Sequence, residues 1–194
     1  MRVISGKARG RKLRYPKLPK SKRLRPLTGQ AKEALFNILA REVQGAKFLD
    51  LFAGTGSVGI EALSRGASLA IFVEHDRKIV QTLRENLELT GFSDRAEVYC
   101  LDVFKAIKVI ERGGGRFNIV YIGAPYAVPA GRQGSPLLEG TMKAIAGIKI
   151  VDKDGVVIAE HSSRDKVEES YGALSKFRDS KYGDTVLSFY KEVQ

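Results

Sequence analysis

The sequence contains very few side chains that bind metals or form disulfide bonds. Cysteine occurs once, at Cys100, and histidine twice, at His75 and His161, among 194 residues. One thiol excludes an intramolecular disulfide, and so few thiolate and imidazole ligands argue against a metal centre. We therefore predict a protein without a metal site.

Long apolar runs are also absent. No stretch approaches the roughly 20 apolar residues of a transmembrane helix, and the N-terminus lacks the run of about 7 to 15 apolar residues of a secretory signal. The composition, 43% hydrophobic and 28% charged, is typical of a globular protein. We therefore expect a cytoplasmic protein with no membrane span. The length of 194 residues suits one domain with a short extension.

The first 32 residues contain no aspartate or glutamate, but they contain twelve lysines and arginines. Because the formal net charge is +11, the rest of the chain is close to neutral. Glycines and prolines exclude a long helix here, so we predict an irregular or short-strand basic extension, residues 1–28, on a folded domain, residues 29–194. Such an extension suits a nucleic-acid backbone, whereas the alternative is a solvated tail that maintains solubility. The candidate phosphate contacts are Arg9, Arg11, Lys12, Arg23 and Arg25.

Strand and helix patterns alternate through the rest of the chain. A first helix begins at Gly29, with Thr28 as its N-cap, and continues to about Val43. The order that follows predicts an α/β fold with a mostly parallel sheet, helices on both faces and an antiparallel hairpin at one edge. The predicted strands are residues 46–52, 69–75, 96–103, 117–123, 155–162, 174–183 and 184–193, and the later helices are residues 57–66, 76–91, 103–113, 135–147 and 165–174.

A glycine-rich turn, "DLFAGTGSVG", joins the first predicted strand to the next helix. Gly54, Gly56 and Gly59 form the pattern G-x-G-x-x-G. Without side chains in the way, backbone N–H groups and the helix N-terminus can approach a ligand closely. The spacing alone serves dinucleotides and S-adenosylmethionine equally, and a purely structural turn also uses glycines.

Acidic residues stand at the ends of three consecutive predicted strands. Asp50 would repel a pyrophosphate, so it favours a ligand with an amino group, or it holds the loop by hydrogen bonds. Glu74 occupies the position from which an acid accepts ribose hydroxyls, in either cofactor class. Asp102 accepts from an adenine amine or caps the following turn, and both alternatives stay open. Together with the glycines, these acids predict a nucleoside cofactor at this edge of the sheet.

Four blocks extend the pattern beyond the turn: "RVISGKARGRKL", "LRPLTGQAKEALFNIL", "FLDLFAGTGSVGIEALSRGA" and "KYGDTVLSFY". In order and spacing they resemble the RsmD family of bacterial 16S ribosomal RNA (guanine-N(2))-methyltransferases, over nearly the whole chain. The resemblance implies a class I methyltransferase fold, Rossmann-like and seven-stranded, and an extension that helps to bind RNA. The implied reaction transfers a methyl group from S-adenosylmethionine to a guanine exocyclic amine of 16S ribosomal RNA, within the assembling small subunit.

The resemblance also implies the site residues and the state of the protein. We expect a monomer whose partner is 16S ribosomal RNA or a small-subunit assembly particle. By matching position, the cofactor contacts are Asp50, Phe52, Gly54, Gly56, Glu74 and Asp102.

The loop "GAPY" departs from the amino-group methyltransferase pattern of Asp or Asn, Pro, Pro and an aromatic. Gly123 has no side chain to accept from the target amine, and Ala124 keeps only its carbonyl, while Pro125 and Tyr126 match. Losing such an orienting hydrogen bond costs about 2 to 4 kcal/mol in the transition state, roughly a hundredfold to a thousandfold in rate. The four residues are the candidate catalytic loop, in which the carbonyls of Gly123 and Ala124 orient the amine and Tyr126 stacks on the base.

A second departure is Gly29, where the family has an aspartate. This removes a carboxylate near the expected pocket. The departure at Gly123 supports a competing hypothesis, an RNA-binding assembly protein that keeps the fold and has lost catalysis. A third hypothesis, an NAD-dependent oxidoreductase, is disfavoured by Asp50 and by the basic extension.

Overall fold

The computed structural model describes residues 1–17, 26–125 and 135–193. Its helices are α1 Gly29–Ile38, α2 Ser57–Ser64, α3 Arg77–Thr90, α4 Val103–Arg112 and α5 Pro136–Ala146. Its strands are β1 Lys47–Leu51, β2 Leu69–Glu74, β3 Ala96–Cys100, β4 Phe117–Ile122, β5 Val151–Ser162, β6 Ser170–Tyr171, β7 Leu174–Tyr182 and β8 Thr185–Glu192. Among these residues, no helix has the length and apolarity that crossing a membrane requires.

The strands form one sheet in the order β3-β2-β1-β4-β5-β8-β7-β6. The pairs from β3 to β5 are parallel, whereas β8 is antiparallel to both β5 and β7. One face packs against α1, α2 and α3, and the other against α4 and α5. The predicted α/β architecture, a mostly parallel sheet with a terminal antiparallel hairpin, is therefore confirmed, and the two-residue β6 is an addition to it.

The predicted helix at residues 165–174 is wrong. Residues 165–169 form neither helix nor strand, Ser170–Tyr171 forms β6, and a turn at residues 172–173 leads to the start of β7. Tyr171 is buried and makes an edge contact with Tyr190, at 5.7 Å between ring centroids. The Tyr190 hydroxyl donates to the Glu168 carbonyl at 2.9 Å. These contacts with the sheet override a local pattern that is weakly helical.

The first helix is also shorter than predicted. It begins at Gly29, and Thr28 caps it as expected, since its hydroxyl accepts from the Ala31 N–H at 3.2 Å. It ends at Ile38, and the chain then turns, although Val43 is still buried.

The basic extension folds back on the domain and is anchored by apolar side chains. Arg2 and Lys12 face each other in an antiparallel bridge. Val3, Ala8 and Leu13 are buried in the same core as α1, α2 and α3. The basic side chains of the described part all point to solvent: Arg2, Lys7, Arg9, Arg11, Lys12, Arg14 and Lys17. Arg23 and Arg25 lie outside the described residues.

A buried carboxylate on α2 fixes the start of this extension. The two oxygens of Glu61 accept from the backbone N–H groups of Ile4, at 2.8 Å, and Ser5, at 2.9 Å. The same carboxylate pairs with Lys32 of α1, at 3.1 Å, and with Arg65, at 2.9 Å. Burial lowers the pKa of Lys32, and Glu61 acts in the opposite direction. Lys32 is therefore a buried link between elements, unlike the exposed cations that precede it.

Asn86 of α3 holds the extension at Arg14 and also reaches the glycine-rich turn. Its Oδ1 accepts from the Arg14 N–H at 2.7 Å, and its Nδ2 donates to the Arg14 carbonyl at 3.2 Å. The same Nδ2 lies 3.0 Å from the Thr55 carbonyl. One amide side chain therefore connects the extension to the turn after β1.

Because the extension is docked, two of its glycines with the same backbone conformation should respond differently to substitution by alanine. Gly6 has φ +80° and Gly10 has φ +83°, so alanine at either position costs on the order of 1 kcal/mol of backbone strain. A Cβ on Gly6 would lie 1.8 Å from the Ser64 carbonyl oxygen, whereas one on Gly10 would meet nothing within 4 Å. We expect Gly6→Ala to displace the extension and Gly10→Ala to leave it docked.

Hydrogen exchange measures this at the Lys7 amide, which donates to the Ser64 carbonyl at 2.8 Å. Protection of this amide should be lost in Gly6→Ala and retained in Gly10→Ala. Equal protection in the two variants would contradict the docked arrangement.

Candidate active site

The glycine-rich turn is a tight reversal between β1 and α2. Phe52, Gly54 and Gly56 all have positive φ, at 66°, 55° and 82°. A Cβ on Gly56 would lie 2.3 Å from Leu83 Cδ1, and one on Gly59 would lie 2.3 Å from Phe72 Cε1. Close packing of α2 on the sheet and on α3 therefore needs glycine at both positions. Phe52 is the one non-glycine residue with positive φ in the described chain, a conformation often found where a loop serves a site.

Asp50 holds this turn from the end of β1. Its side chain is buried, and its Oδ2 accepts from the Gly59 N–H at 2.9 Å. Burial raises the pKa of Asp50 to about 7, the Gly59 hydrogen bond opposes the rise, and the negative charges of Glu160 and Glu74 add to it. A carboxylate in this position is stabilised in its charged form by a nearby cation.

Glu74 holds the same turn from the end of β2. Its Oε2 accepts from the Gly54 N–H at 3.1 Å, and its Oε1 accepts from the Asp76 N–H at 2.9 Å. Asp102 follows β3 and caps α4, since its Oδ1 accepts from the N–H groups of Phe104, at 3.0 Å, and Lys105, at 3.4 Å. Because β3, β2 and β1 are parallel neighbours, the structure brings all three predicted acids to one edge of the sheet.

The loop after β4 lies beside this turn. β4 pairs with β1 in parallel, and the Gly123 N–H donates to the Leu51 carbonyl at 3.2 Å. Ala124 is buried and Pro125 is exposed. Tyr126 lies outside the described residues. The structure therefore places Gly123 beside Leu51, the residue that leads into the glycine-rich turn.

Glu160, on β5, is a residue of this edge that sequence reasoning missed. β5 is the other neighbour of β4, and its Ala159 is in register with Ile122. The Glu160 side chain is buried and accepts a hydrogen bond from the Tyr121 hydroxyl. The sequence contains a signal that could have identified it, because Glu160 is an acidic residue near the end of a buried strand, as Asp50 and Glu74 are.

A cavity of about 340 Å³ lies between the extension, the start of α1 and the N-terminus of α2. It borders the glycine-rich turn through Ser57 but does not include the strand-end acids. A Cβ on Gly29 would meet nothing within 4 Å. The lining residues are Met1, Arg2, Ile4, Lys12, Leu27, Gly29, Lys32 and Ser57.

The sheet order, the turn after β1 and the adjacent strand ends define a class I methyltransferase fold. The structure is similar to the solved structure of the yhhF protein of Escherichia coli, with a TM-score of 0.81 and 28% identity over 99% of this chain and 97% of that one. It is equally similar to the Thermus thermophilus protein TTHA0928, with a TM-score of 0.81 and 29% identity over 100% of this chain and 99% of that one.

The chain belongs to the family described as Conserved hypothetical protein 95, whose model matches residues 1–191. YlbH of Bacillus subtilis (strain 168) is 34% identical over 192 residues, which span 99% of each protein. The ribosomal RNA small subunit methyltransferase D of Escherichia coli (strain K12) is 39% identical over 126 residues, 65% of this chain and 60% of that protein. The resemblance to the RsmD family is therefore confirmed.

The buried carboxylate of Asp50 predicts how stability changes with pH. Its pKa is raised from 3.8 to about 7, so between these values the folded state binds a proton more tightly than the unfolded state does. Stability should therefore fall as the pH rises through this window, by up to about 1.4 kcal/mol per pH unit. Asp50→Asn keeps an oxygen for the Gly59 N–H and removes the charge, so its stability should fall less.

Thermal unfolding without cofactor, from pH 5 to pH 8, measures this difference. Asp102→Asn changes an exposed carboxylate and serves as the control, whose profile should follow that of the wild type. Parallel profiles for Asp50→Asn and wild type would show that burying Asp50 has no linked energetic cost.

Proposed function

We propose that this protein transfers a methyl group from S-adenosylmethionine to the exocyclic N2 amine of a guanine in 16S ribosomal RNA. The observation that carries the proposal is the hydrogen bond from the Gly123 N–H to the Leu51 carbonyl, because it holds the candidate target loop against the candidate cofactor turn. The small subunit methyltransferase D proteins of Escherichia coli (strain K12) and Haemophilus influenzae, 39% and 37% identical over part of the chain, support ribosomal RNA as the substrate class.

The strand-end residues suit S-adenosylmethionine, which carries a sulfonium and an ammonium group. Asp50 and Glu74 present two buried carboxylates, and a cation beside them favours their charged forms. A pyrophosphate would meet the same two charges unfavourably, which argues against NAD. In this proposal Glu74 accepts the ribose hydroxyls and Asp102 accepts from the adenine amine, while Phe52, Gly54 and Gly56 shape the turn.

The bound cofactor supplies an electrophilic methyl group, and the protein orients the amine that receives it. The carbonyls of Gly123 and Ala124 accept from the amine and direct its lone pair at the methyl carbon. Tyr126 stacks on the base, and Pro125 stiffens the loop. The target base leaves its stack in the RNA to enter this site. No metal and no covalent enzyme intermediate takes part.

The extension is proposed as the RNA-binding surface of a monomeric protein. Arg9, Arg11 and Lys12 are exposed on a backbone that is fixed by hydrogen bonds, so their charges are presented in a defined place. Arg23 and Arg25 continue the same basic run. A docked extension with buried apolar anchors favours binding over the solvated-tail alternative. We propose residues 1–28 as this surface and residues 29–194 as the methyltransferase domain, with Val3, Ala8 and Leu13 packed into the core of that domain.

A second candidate function follows from the absence of a side chain at Gly123. A protein with this loop could bind RNA and assist small-subunit assembly without methyl transfer. The family relatives named as methyltransferases favour the enzyme, and activity measurements separate the two.

The direct test is transfer of labelled methyl from S-adenosylmethionine to small ribosomal subunits, and to naked 16S RNA, from cells that lack their own enzyme. We expect wild type to be active. Where the loop carbonyls alone orient the amine, Gly123→Asn with Ala124→Pro should be faster by up to about a hundredfold, because it adds a side-chain acceptor. Gly123→Asp with Ala124→Pro should gain less, since a Cβ at this position lies 3.4 Å from Glu160 Oε2, so the new carboxylate repels the existing one.

Activity in the repaired variants alone would identify the natural protein as the RNA-binding alternative. Cofactor binding without methylation of either RNA by any of the three proteins would overturn the proposal.

The RNA role of the extension is tested by removing three charges. Arg9→Gln, Arg11→Gln and Lys12→Gln together should reduce the slope of log affinity against log salt by about 2 to 3, because each phosphate contact contributes about 0.7 to 0.9. The matched control removes three exposed charges elsewhere, at Lys108, Arg112 and Lys149. Equal slopes for the two triple variants would indicate that only net charge matters.

A further inference from the structure

The carboxylate of Glu160 lies where the loop after β4 lacks a side chain. A Cβ built on Gly123 would be 3.4 Å from Glu160 Oε2 and 3.0 Å from Tyr121 Cε1. In an aspartate the carboxylate oxygens are two bonds beyond Cβ. An oxygen of Glu160 therefore occupies the neighbourhood that the missing carboxylate of position 123 would fill.

Glu160 is held in this position by the sheet. It is 7% exposed, and its strand is in parallel register with β4 from Ile119↔Val156 to Ile122↔Ala159. The Tyr121 hydroxyl, on the neighbouring strand, donates to its Oε2. A carboxylate has about four acceptor positions, so the bond from Tyr121 fixes the group and is compatible with acceptance from a ligand as well.

Asn118, the amide residue of β4, cannot serve instead. Its Oδ1 accepts from the Lys47 N–H at 2.8 Å, and its Nδ2 donates to Asp152 at 2.9 Å. These contacts lie at the start of β1 and β5, at the opposite end of the sheet from Gly123. Among the residues that the structure describes, Glu160 therefore supplies the carboxylate beside the loop at Gly123.

The chemistry of a carboxylate matches one base in particular. The Watson–Crick edge of guanine presents two adjacent donors, N1–H and the N2 amine, and two carboxylate oxygens can accept from both. Adenine and cytosine present one donor beside one lone pair at the same edge, so one oxygen would face a lone pair. A buried carboxylate discriminates strongly here because mismatched polar groups in a dry site remain unpaired.

We propose that Glu160 accepts from N1–H and from one hydrogen of the N2 amine of the target guanine, so that it orients the amine and selects the base, with Tyr121 as its positioning residue. Because the amine has two hydrogens, Glu160 then takes the place of one of the two loop carbonyls, and the other carbonyl accepts from the second hydrogen. The inference rests on the proposed function and gives that site a residue for base specificity. It also explains how the loop can work with glycine at position 123, because the orienting carboxylate comes from β5.

The test compares two bases and two side chains. The guanine that wild type methylates is mapped first, and the RNA is then made with 2-aminopurine there, which keeps the N2 amine and replaces N1–H by a lone pair. Glu160→Gln has one acceptor and one donor, which match 2-aminopurine. We expect Glu160→Gln to lower kcat on guanine by about a hundredfold and to lower the guanine-to-2-aminopurine preference in kcat/KM by a similar factor.

Two further variants separate recognition from structure. Tyr121→Phe removes the positioning bond, so it should lower kcat less than Glu160→Gln does and keep the preference for guanine. Glu160→Asp keeps the charge on a shorter side chain, so it should lose rate and also keep that preference, which makes the test independent of whether Glu160→Gln folds. Cofactor affinity by calorimetry should stay within about threefold of wild type in Tyr121→Phe and Glu160→Asp, which keep the negative charge at position 160.

The outcomes distinguish this inference from the function it rests on. If wild type methylates guanine and Glu160→Gln retains the same rate and base preference, Glu160 does not read the base. If Glu160→Gln does not fold and Glu160→Asp loses the guanine preference or retains the full rate, the inference is likewise overturned. If wild type methylates no ribosomal RNA, the proposed function itself fails.

Discussion

The buried carboxylate of Glu61 is the point at which the extension, α1 and α2 are joined. It accepts from the backbone of Ile4 and Ser5 and pairs with Lys32 and Arg65. Hydrogen bonds to a charged group typically contribute about 1.5 to 3 kcal/mol each. Detaching the extension would therefore remove two backbone N–H donors from the buried Glu61 carboxylate and disturb the cluster. This constraint turns a basic segment into a rigid surface, on which the proposed RNA contact depends.

The same principle shapes the cofactor edge, where carboxylates hold backbone N–H groups. Asp50 binds Gly59 and Glu74 binds Gly54, so the turn after β1 is organised by its own acids. This arrangement buries negative charge, which is energetically unfavourable and raises the pKa of Asp50. A cationic ligand relieves that cost, which connects the stability of the turn to the kind of cofactor it suits. The negative charge of Glu160, on β5, also raises the pKa of Asp50.

A motif that lacks a side chain in the linear sequence can be completed by a side chain from the neighbouring strand. Judged from its linear sequence, the loop at Gly123 lacks the carboxylate or amide oxygen typical of amino-group methyltransferases. In the folded sheet, Glu160 presents a carboxylate at that place, 39 residues away in the chain from Tyr121, which donates to it. A residue at the end of β5 and one at the end of β4 become neighbours only because the two strands pair in parallel.

The sequence by itself determined the alternation of strands and helices, the turn at Gly54 and Gly56 and the positions of Asp50 and Glu74, because these follow from local periodicity and from the shared edge of parallel strands. Only the tertiary structure decided that residues 165–174 join the sheet, that Lys32 is buried against Glu61, and that Glu160 lies beside Gly123. Each of these depends on contacts between residues distant in the chain, which a local pattern does not contain.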